Sequence, residues 1–151
     1  MKPKISVIIF VISFVLNAIW ENLHSQLYIH YQGGPITELV LLRATLFDAV
    51  FITGTIWLIQ KLTNGKHLLA WVTTISIIAA IAIELYALNT NRWAYGSTMP
   101  IIPLLNTGLT PTIQLGFLGY LSLRAVLGCE SCFGGGGVAS KTFDISEMSD
   151  V

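Results

Sequence analysis

Charged residues are scarce in this sequence, and their scarcity limits the class of protein. Asp, Glu, Lys and Arg make up 11% of the 151 residues, whereas 54% of the residues are hydrophobic. A soluble domain carries about 25% charged residues. The chain has more apolar surface than one soluble core of this size can bury, so we expect an integral membrane protein in contact with membrane lipid.

The sequence also lacks a basic excess, a distributed cysteine pattern and the common catalytic motifs. Its formal net charge is zero, which argues against nucleic acid as a partner. The two cysteines, Cys129 and Cys132, lie near the C-terminus and form no disulfide framework for the rest of the chain. GxSxG, P-loop, HExxH and dinucleotide-binding motifs are absent. We therefore expect no cofactor.

Four long apolar segments predict an all-α fold, an integral membrane four-helix bundle. About 20 helical residues cross the hydrocarbon core at about 1.5 Å per residue. The predicted spans are residues 5–28, 36–60, 68–88 and 101–127, and they form one domain, 1–127. A basic start before an apolar run also fits a signal peptide, but no small-x-small cleavage site follows. Residues 128–151 contain a polyglycine run and are predicted to form a flexible cytoplasmic tail.

Glycine and proline mark the predicted turns and a break in the fourth span. Gln32-Gly-Gly-Pro35 and Asn64-Gly65 are predicted turns. Pro103, Gly108 and Pro111 lie in the first half of the fourth segment. Proline lacks a backbone N–H and clashes with the preceding helical turn. We therefore predict a kinked or broken fourth helix that becomes regular from about Pro111.

The basic residues predict the orientation in the membrane. One set lies near the N-terminus, in the second loop and at the end of the last span, whereas the loops on the other side contain only Arg92. The first set is Lys2, Lys4, Lys61, Lys66 and Arg124. The positive-inside rule then places both termini in the cytoplasm of a cell-membrane protein, with residues 89–100 on the outer side.

Polar residues recur along one face of each predicted span. Asn17, Glu21 and His24 follow one another at spacings of four and three, which is one face of an α-helix. An ionisable residue within a span costs about 2.5–3.5 kcal/mol on insertion scales, so such residues usually face a protein interior or a polar cavity. Counting along the helices places these groups in the outer half, beneath residues 89–100.

These positions define a candidate ligand-binding site. Its residues are Glu21, His24, Arg43, Asp48, Glu84, Arg92, Trp93, Tyr95 and Gln114. Arg43 is expected to pair with Glu21 or Glu84. Two interpretations remain open: a site for a small solute or ion, and an ion-pair network that only holds the helices together. Trp93 and Tyr95 also suit interfacial anchors.

The metal candidates are incomplete. Cys129 and Cys132 supply two thiolates, whereas tetrahedral zinc needs four ligands. His24 and His30 are six residues apart and do not form the i, i+4 pair that suits helical ligands. A site of His24 and His30 with Glu21 is an alternative, but we expect no resident metal.

One segment resembles known families. Glu84-x-x-Ala-Leu-x-x-x-Arg-Trp-x-Tyr95 and then Gly108-Leu-Thr-Pro-x-x-Gln114 resemble a pattern in small uncharacterised bacterial four-helix membrane proteins. The segment, roughly residues 84–115, is also similar to the lycopene cyclase domain. That resemblance implies a multi-helix membrane architecture. The cyclase family has paired glutamates after the proline, but this chain has Thr112, Ile113 and Gln114, so the carboxylates implied for cyclisation are missing there.

The sequence thus predicts a multi-pass membrane protein with a polar, outward-facing site within the bundle. It would bind or pass a small solute or ion, or serve as a subunit of a membrane complex, with a homo-oligomer or a membrane partner subunit as assembly. The alternative is a membrane-embedded enzyme that acts on a lipid or isoprenoid, with Glu21, Asp48 or Glu84 as proton donor or base. A further alternative is thiol or metal chemistry at Cys129 and Cys132.

Overall fold

The computed structural model describes residues 3–133, with side chains to Gly128, and 74% of it is helical. Its four helices are α1 (Pro3–His24), α2 (Glu38–Thr63), α3 (Leu68–Asn89) and α4 (Leu109–Phe133). The helices alternate in direction. The C-terminal ends of α1 and α3 therefore lie at the same end of the bundle as the N-terminal ends of α2 and α4, and we call this the ribbon end.

Apolar side chains cover the outside of the bundle, and polar side chains lie within it. Val11, Ile19 and Val50 are more than half exposed, whereas Ser13 and Asn17 are fully buried. A soluble protein shows the opposite distribution. Pro3–Leu27, α2 and α3 are each long and apolar enough to cross a membrane.

Opposite the ribbon end, the bundle is filled mainly by aliphatic side chains. Ile9, Ile52, Ile56 and Val72 are fully buried there, and leucines of α4 complete the cluster. Helices α3 and α4 approach closely at Gly116, where a Cβ would clash with the Ile77 side chain. A small residue at a helix crossing permits such an approach.

Two small antiparallel ribbons cap the ribbon end. Strand β1 (Tyr28–Tyr31) pairs with β2 (Trp93–Tyr95), so the segment after α1 is joined to the segment after α3. Strand β3 (Ile101–Ile102) pairs with β4 (Thr107–Gly108) immediately before α4. The all-α prediction omitted both ribbons, because strands of two to four residues leave no periodic pattern in the sequence.

Both predicted turns are confirmed. Gln32 and Gly33 have φ of 50° and 76°, and Asn64 and Gly65 have φ of 54° and 86°. These are left-handed backbone conformations, which glycine adopts freely and asparagine tolerates better than most residues.

The predicted start of the fourth span is wrong. Residues 101–108 form the β3–β4 ribbon, and α4 begins at Leu109. Pro111 lies in the first turn of α4, where a helix needs no backbone N–H from it, so it is compatible with a regular helix. The prolines thus precede the helix or occupy its first turn, instead of interrupting a longer helix.

The helical backbone also continues to Phe133, past the predicted boundary at residue 127. The backbone of Cys129 and Cys132 lies in this last part of α4, but their side chains, and the predicted tail from residue 134 to 151, are outside the described residues.

Candidate functional site

A cavity of about 480 Å³ lies at the ribbon end, among all four helices and the β1–β2 ribbon. Of the nine candidate residues, eight line this cavity: Glu21, His24, Arg43, Asp48, Glu84, Arg92, Trp93 and Gln114. Tyr95 is not part of the lining and contacts Glu84. Apolar residues form much of the remaining wall, namely Ile36, Val40, Leu41, Phe47, Ile83 and Leu115.

Gln114 on α4 is the centre of a first polar cluster. Its Nε2 lies 2.7 Å from Oε1 of Glu21, 2.8 Å from Oδ2 of Asp48 and 3.2 Å from Oδ1 of Asn17. All four residues are at least nine-tenths buried, and they come from α1, α2 and α4. We call Asn17, Glu21, Asp48 and Gln114 the Gln114 cluster.

The Gln114 cluster has more acceptors than donors. An amide nitrogen carries two hydrogens and cannot donate full hydrogen bonds to three oxygens at once. The carboxyl groups of Glu21 and Asp48 are also within hydrogen-bonding contact of each other. Two adjacent carboxylates repel one another unless a proton or a cation is held between them. Within the described residues, Gln114 is the only other residue that donates to this pair.

Glu84 on α3 is the centre of a second cluster, in which several hydrogen-bond donors surround one carboxylate. Trp93 donates its indole N–H to Oε2 at 3.1 Å, Tyr28 donates its hydroxyl to Oε1 at 3.3 Å, and Tyr95 donates its hydroxyl to Oε2. One buried carboxylate thus accepts from three donors. We call Tyr28, Glu84, Trp93 and Tyr95 the Glu84 cluster.

The Glu84 cluster fastens both ribbons to the bundle. Tyr28 belongs to β1, and Trp93 and Tyr95 belong to β2. The Tyr95 hydroxyl also accepts the backbone N–H of Gly108 at 2.8 Å, which connects β4 to the same carboxylate. Burial and the nearby Glu84 carboxyl raise the pKa of the Tyr28 phenol, and burial followed by the hydrogen bond to Glu84 raises the pKa of the Tyr95 phenol. Both phenols therefore stay protonated and able to donate.

The predicted ion pair of Arg43 with Glu21 or Glu84 is not formed. Arg43 is exposed on α2, and within residues 3–128 it makes no ion pair and no side-chain hydrogen bond. Its helical position places it well away from the face that carries Asp48. Arg92 is also exposed, and its guanidinium lies 5.6 Å from the centre of the Tyr86 ring. Both arginines line the cavity without neutralising its carboxylates.

The histidines at the cavity do not gather as metal ligands. His24 Nδ1 lies 3.0 Å from the carbonyl oxygen of Trp20, and His30 Nδ1 accepts the backbone N–H of Gly33 at 3.2 Å. The described residues contain no group of three His, Cys, Asp or Glu side chains placed to hold a metal ion.

Two members of the clusters were not among the candidates from sequence. Asn17 lies on the predicted polar face of α1, one turn before Glu21, and this position was the signal that could have included it. Tyr28 was placed on the same helix, but it begins β1 and turns its hydroxyl towards Glu84. Comparison of the chain with family models, curated proteins and solved structures found no match.

Proposed function

We propose that this protein is a four-helix cell-membrane protein, with both termini in the cytoplasm, whose cavity opens outward. The cavity binds a small solute or ion that carries a positive charge or several hydrogen-bond donors. The observation behind this proposal is the acceptor excess of the Gln114 cluster, since a cation or a donor-rich group would supply what the cluster lacks.

Binding is favoured over conduction through the bundle. From the cavity, the chain of polar contacts passes through Asn17 to Ser13, whose carbonyl oxygen accepts from the Asn17 amide at 2.8 Å. Beyond Ser13 lie Ile9, Ile52 and Ile56, which are fully buried. An ion that passed this layer would leave the carboxyl groups of the cavity and meet the uncharged hydroxyl groups of Thr53, Thr73 and Ser76 there, so one copy of the chain supports a one-sided site.

The proposed role is therefore that of a binding protein, or of a binding subunit in a membrane complex or homo-oligomer. Native mass spectrometry of the purified chain would count copies and partner subunits. Dissociation of the assembly without loss of ligand binding would place the site within one copy, as the cavity geometry suggests.

The test is a thermal unfolding series on the full-length protein in detergent, with sodium, potassium, magnesium, calcium, ammonium and ethanolamine as probes. A ligand at about 100 times its dissociation constant stabilises a protein by about 2.7 kcal/mol. We expect at least one probe to raise the melting temperature of the wild type and to leave Glu21→Gln/Asp48→Asn unchanged. Arg124→Gln, at the other end of α4, is the matched control and should respond like the wild type. Equal responses of wild type and double variant to every probe would contradict the proposal.

A second candidate is a membrane-embedded enzyme that acts on a lipid or isoprenoid. Its support is the contact between the Glu21 and Asp48 carboxyl groups, which suits proton donation and acceptance. Gln114 occupies the region where the lycopene cyclase domain carries carboxylates, and here α1 and α2 bring carboxyl groups to that side chain. Lipid extracts of cells with wild type and with Asp48→Asn should then differ in one species, and identical extracts would contradict this candidate.

A further inference from the structure

We propose that the occupant of the cavity is the head group of an aminophospholipid, which enters from the bilayer between α2 and α3. The phosphate would bind Arg43 and the primary ammonium would bind the Gln114 cluster. This inference rests on the proposed function and specifies its ligand.

The cavity is continuous with the membrane-facing surface of α2. Phe47 lines the cavity and is 55% exposed on the outside of the bundle, and Arg43 is likewise both lining and exposed. Ile83 and Glu84 of α3 line the facing wall. Helix α2 contacts α3 less extensively than it contacts α1. A molecule in the bilayer can therefore reach the carboxylates sideways, between these two helices.

Arg43 lacks an anionic partner in an apolar setting. It lies five residues after the start of α2, about 7.5 Å along the helix axis. Leu39, Leu42, Leu46 and Val50 around it are all more than 45% exposed. No carboxylate within the described residues pairs with its guanidinium. A guanidinium binds phosphate through two parallel hydrogen bonds, and phospholipid would supply phosphate near the end of a membrane-spanning helix.

The oxygens around the Gln114 amide outnumber the hydrogens that this amide can donate. Oxygens of Asn17, Glu21 and Asp48 lie 2.7–3.2 Å from one nitrogen, which has two hydrogens where an ammonium has three. The ammonium would share the carboxyl oxygens of Glu21 and Asp48, which line the cavity, with the Gln114 amide. A quaternary choline head group has no N–H and cannot donate to them.

Both charged ends of the head group have a partner at the cavity. Asp48 lies five residues beyond Arg43, about 7.5 Å further along the α2 axis, and projects from a different face of α2, but both side chains line the cavity that one head group would occupy. The acyl chains would lie against the exposed leucines and Val50, outside the bundle. Arg92 at the cavity rim is a second cation for the phosphate.

The experiment is native mass spectrometry of the full-length protein, titrated with phosphatidylethanolamine and with phosphatidylcholine of identical acyl chains. We expect the wild type to bind phosphatidylethanolamine about tenfold more tightly, since the hydrogen bonds to charged groups are lost with choline. Glu21→Gln/Asp48→Asn should abolish this preference. Arg43→Gln should weaken both lipids, and Arg124→Gln should behave like the wild type.

Equal binding of the two lipids by the wild type would overturn the inference, and this comparison requires no variant to fold. A preference that persists in the double variant would overturn it as well. If ethanolamine raises the melting temperature through Glu21 and Asp48 while the lipids bind equally, the lipid inference fails and the proposed function stands. If no small probe and neither lipid discriminates wild type from double variant, both fail.

Discussion

The Gln114 cluster and the Glu84 cluster lie at the same end of one bundle and differ in hydrogen-bond balance. In the Glu84 cluster, three donors from the ribbons converge on one carboxylate. In the Gln114 cluster, one amide faces two carboxyl groups and an amide oxygen. Both are buried. The Glu84 carboxylate therefore has several hydrogen-bond donors within the protein, whereas the carboxyl groups of Glu21 and Asp48 share one.

This difference assigns the two clusters different roles. A buried charge with its full set of donors stabilises the structure that supplies them. A buried pair of carboxyls with too few donors destabilises the fold unless a proton or a bound cation lies between them. The Glu84 cluster therefore anchors the ribbons, and the Gln114 cluster is where we propose that a ligand binds. Stability measurements on substitutions can break or sharpen this comparison.

The largest expected effect is that of Glu84→Ala. The change leaves the hydroxyls of Tyr28 and Tyr95 and the indole of Trp93 without their acceptor, which destabilises the protein by about 3 kcal/mol. Chemical unfolding in detergent measures the loss, and protease sensitivity of residues 89–100 should rise with it. Glu38→Ala, at an exposed helix start, is the control and should cost less than about 1 kcal/mol. A Glu84→Ala protein as stable as the wild type would show that the ribbons are anchored elsewhere.

The second largest expected effect is that of Gln114→Leu, which removes the central amide. Leu has a volume similar to that of Gln but cannot donate to Glu21 and Asp48, so the substitution should destabilise the protein by about 2 kcal/mol. The same unfolding assay measures it. Gln114→Lys supplies an ammonium, so it should recover stability and at the same time block the response to added ligand. If Leu and Lys at residue 114 have equal effects, donor shortage is not what governs this cluster.

The two tyrosine hydroxyls that bind Glu84 should contribute differently to stability, because their hydrogen bonds differ in number and length. Tyr95→Phe removes the bond to Glu84 and the acceptor of the Gly108 N–H, and it should cost about 1.5 kcal/mol. Tyr28→Phe removes only a long bond of 3.3 Å, and we expect about 0.5 kcal/mol. Melting temperatures of the two variants in one detergent compare them directly. The reverse order would contradict the role of Tyr95 as the link between the ribbons.

The last expected effect has the opposite sign. Asp48→Asn removes one of two adjacent carboxyls and adds a donor towards Glu21, so we expect a gain of about 1 kcal/mol together with loss of ligand response. Glu84→Gln, the matched neutralisation in the other cluster, should destabilise. Parallel thermal unfolding of the two variants without ligand gives both signs, and a common sign would remove the distinction between the clusters.

Much of the bundle was predictable from the sequence because its helices are long and their patterns repeat. The polar face of α1, with Asn17, Glu21 and His24, follows from spacing alone, and these residues are buried. The turns at Gln32–Gly33 and Asn64–Gly65 follow from residue type. The β3–β4 ribbon was read as a broken helix, since short apolar pieces near proline carry no period that separates helix from strand.

Sequence also predicted which residues would gather at one end, but not how they would pair. Helical phase predicts that Glu21, Asp48 and Glu84 lie on inward faces, and counting along the helices predicts that they lie in the same half of the bundle. Arg43 was assigned to a glutamate because opposite charges at similar depth attract. The structure leaves it exposed, since its position on α2 is well away from the face of Asp48.

The sequence by itself therefore determined the number of helices, their apolar character and the set of polar side chains that face inward. These features depend on composition and on periodicity within single segments. Only the tertiary structure decided that Glu84 receives three donors while Glu21 and Asp48 share one amide. That division depends on which helix faces meet and where the ribbons fold back, and contacts between residues as far apart as Glu21 and Gln114 leave no mark on local spacing.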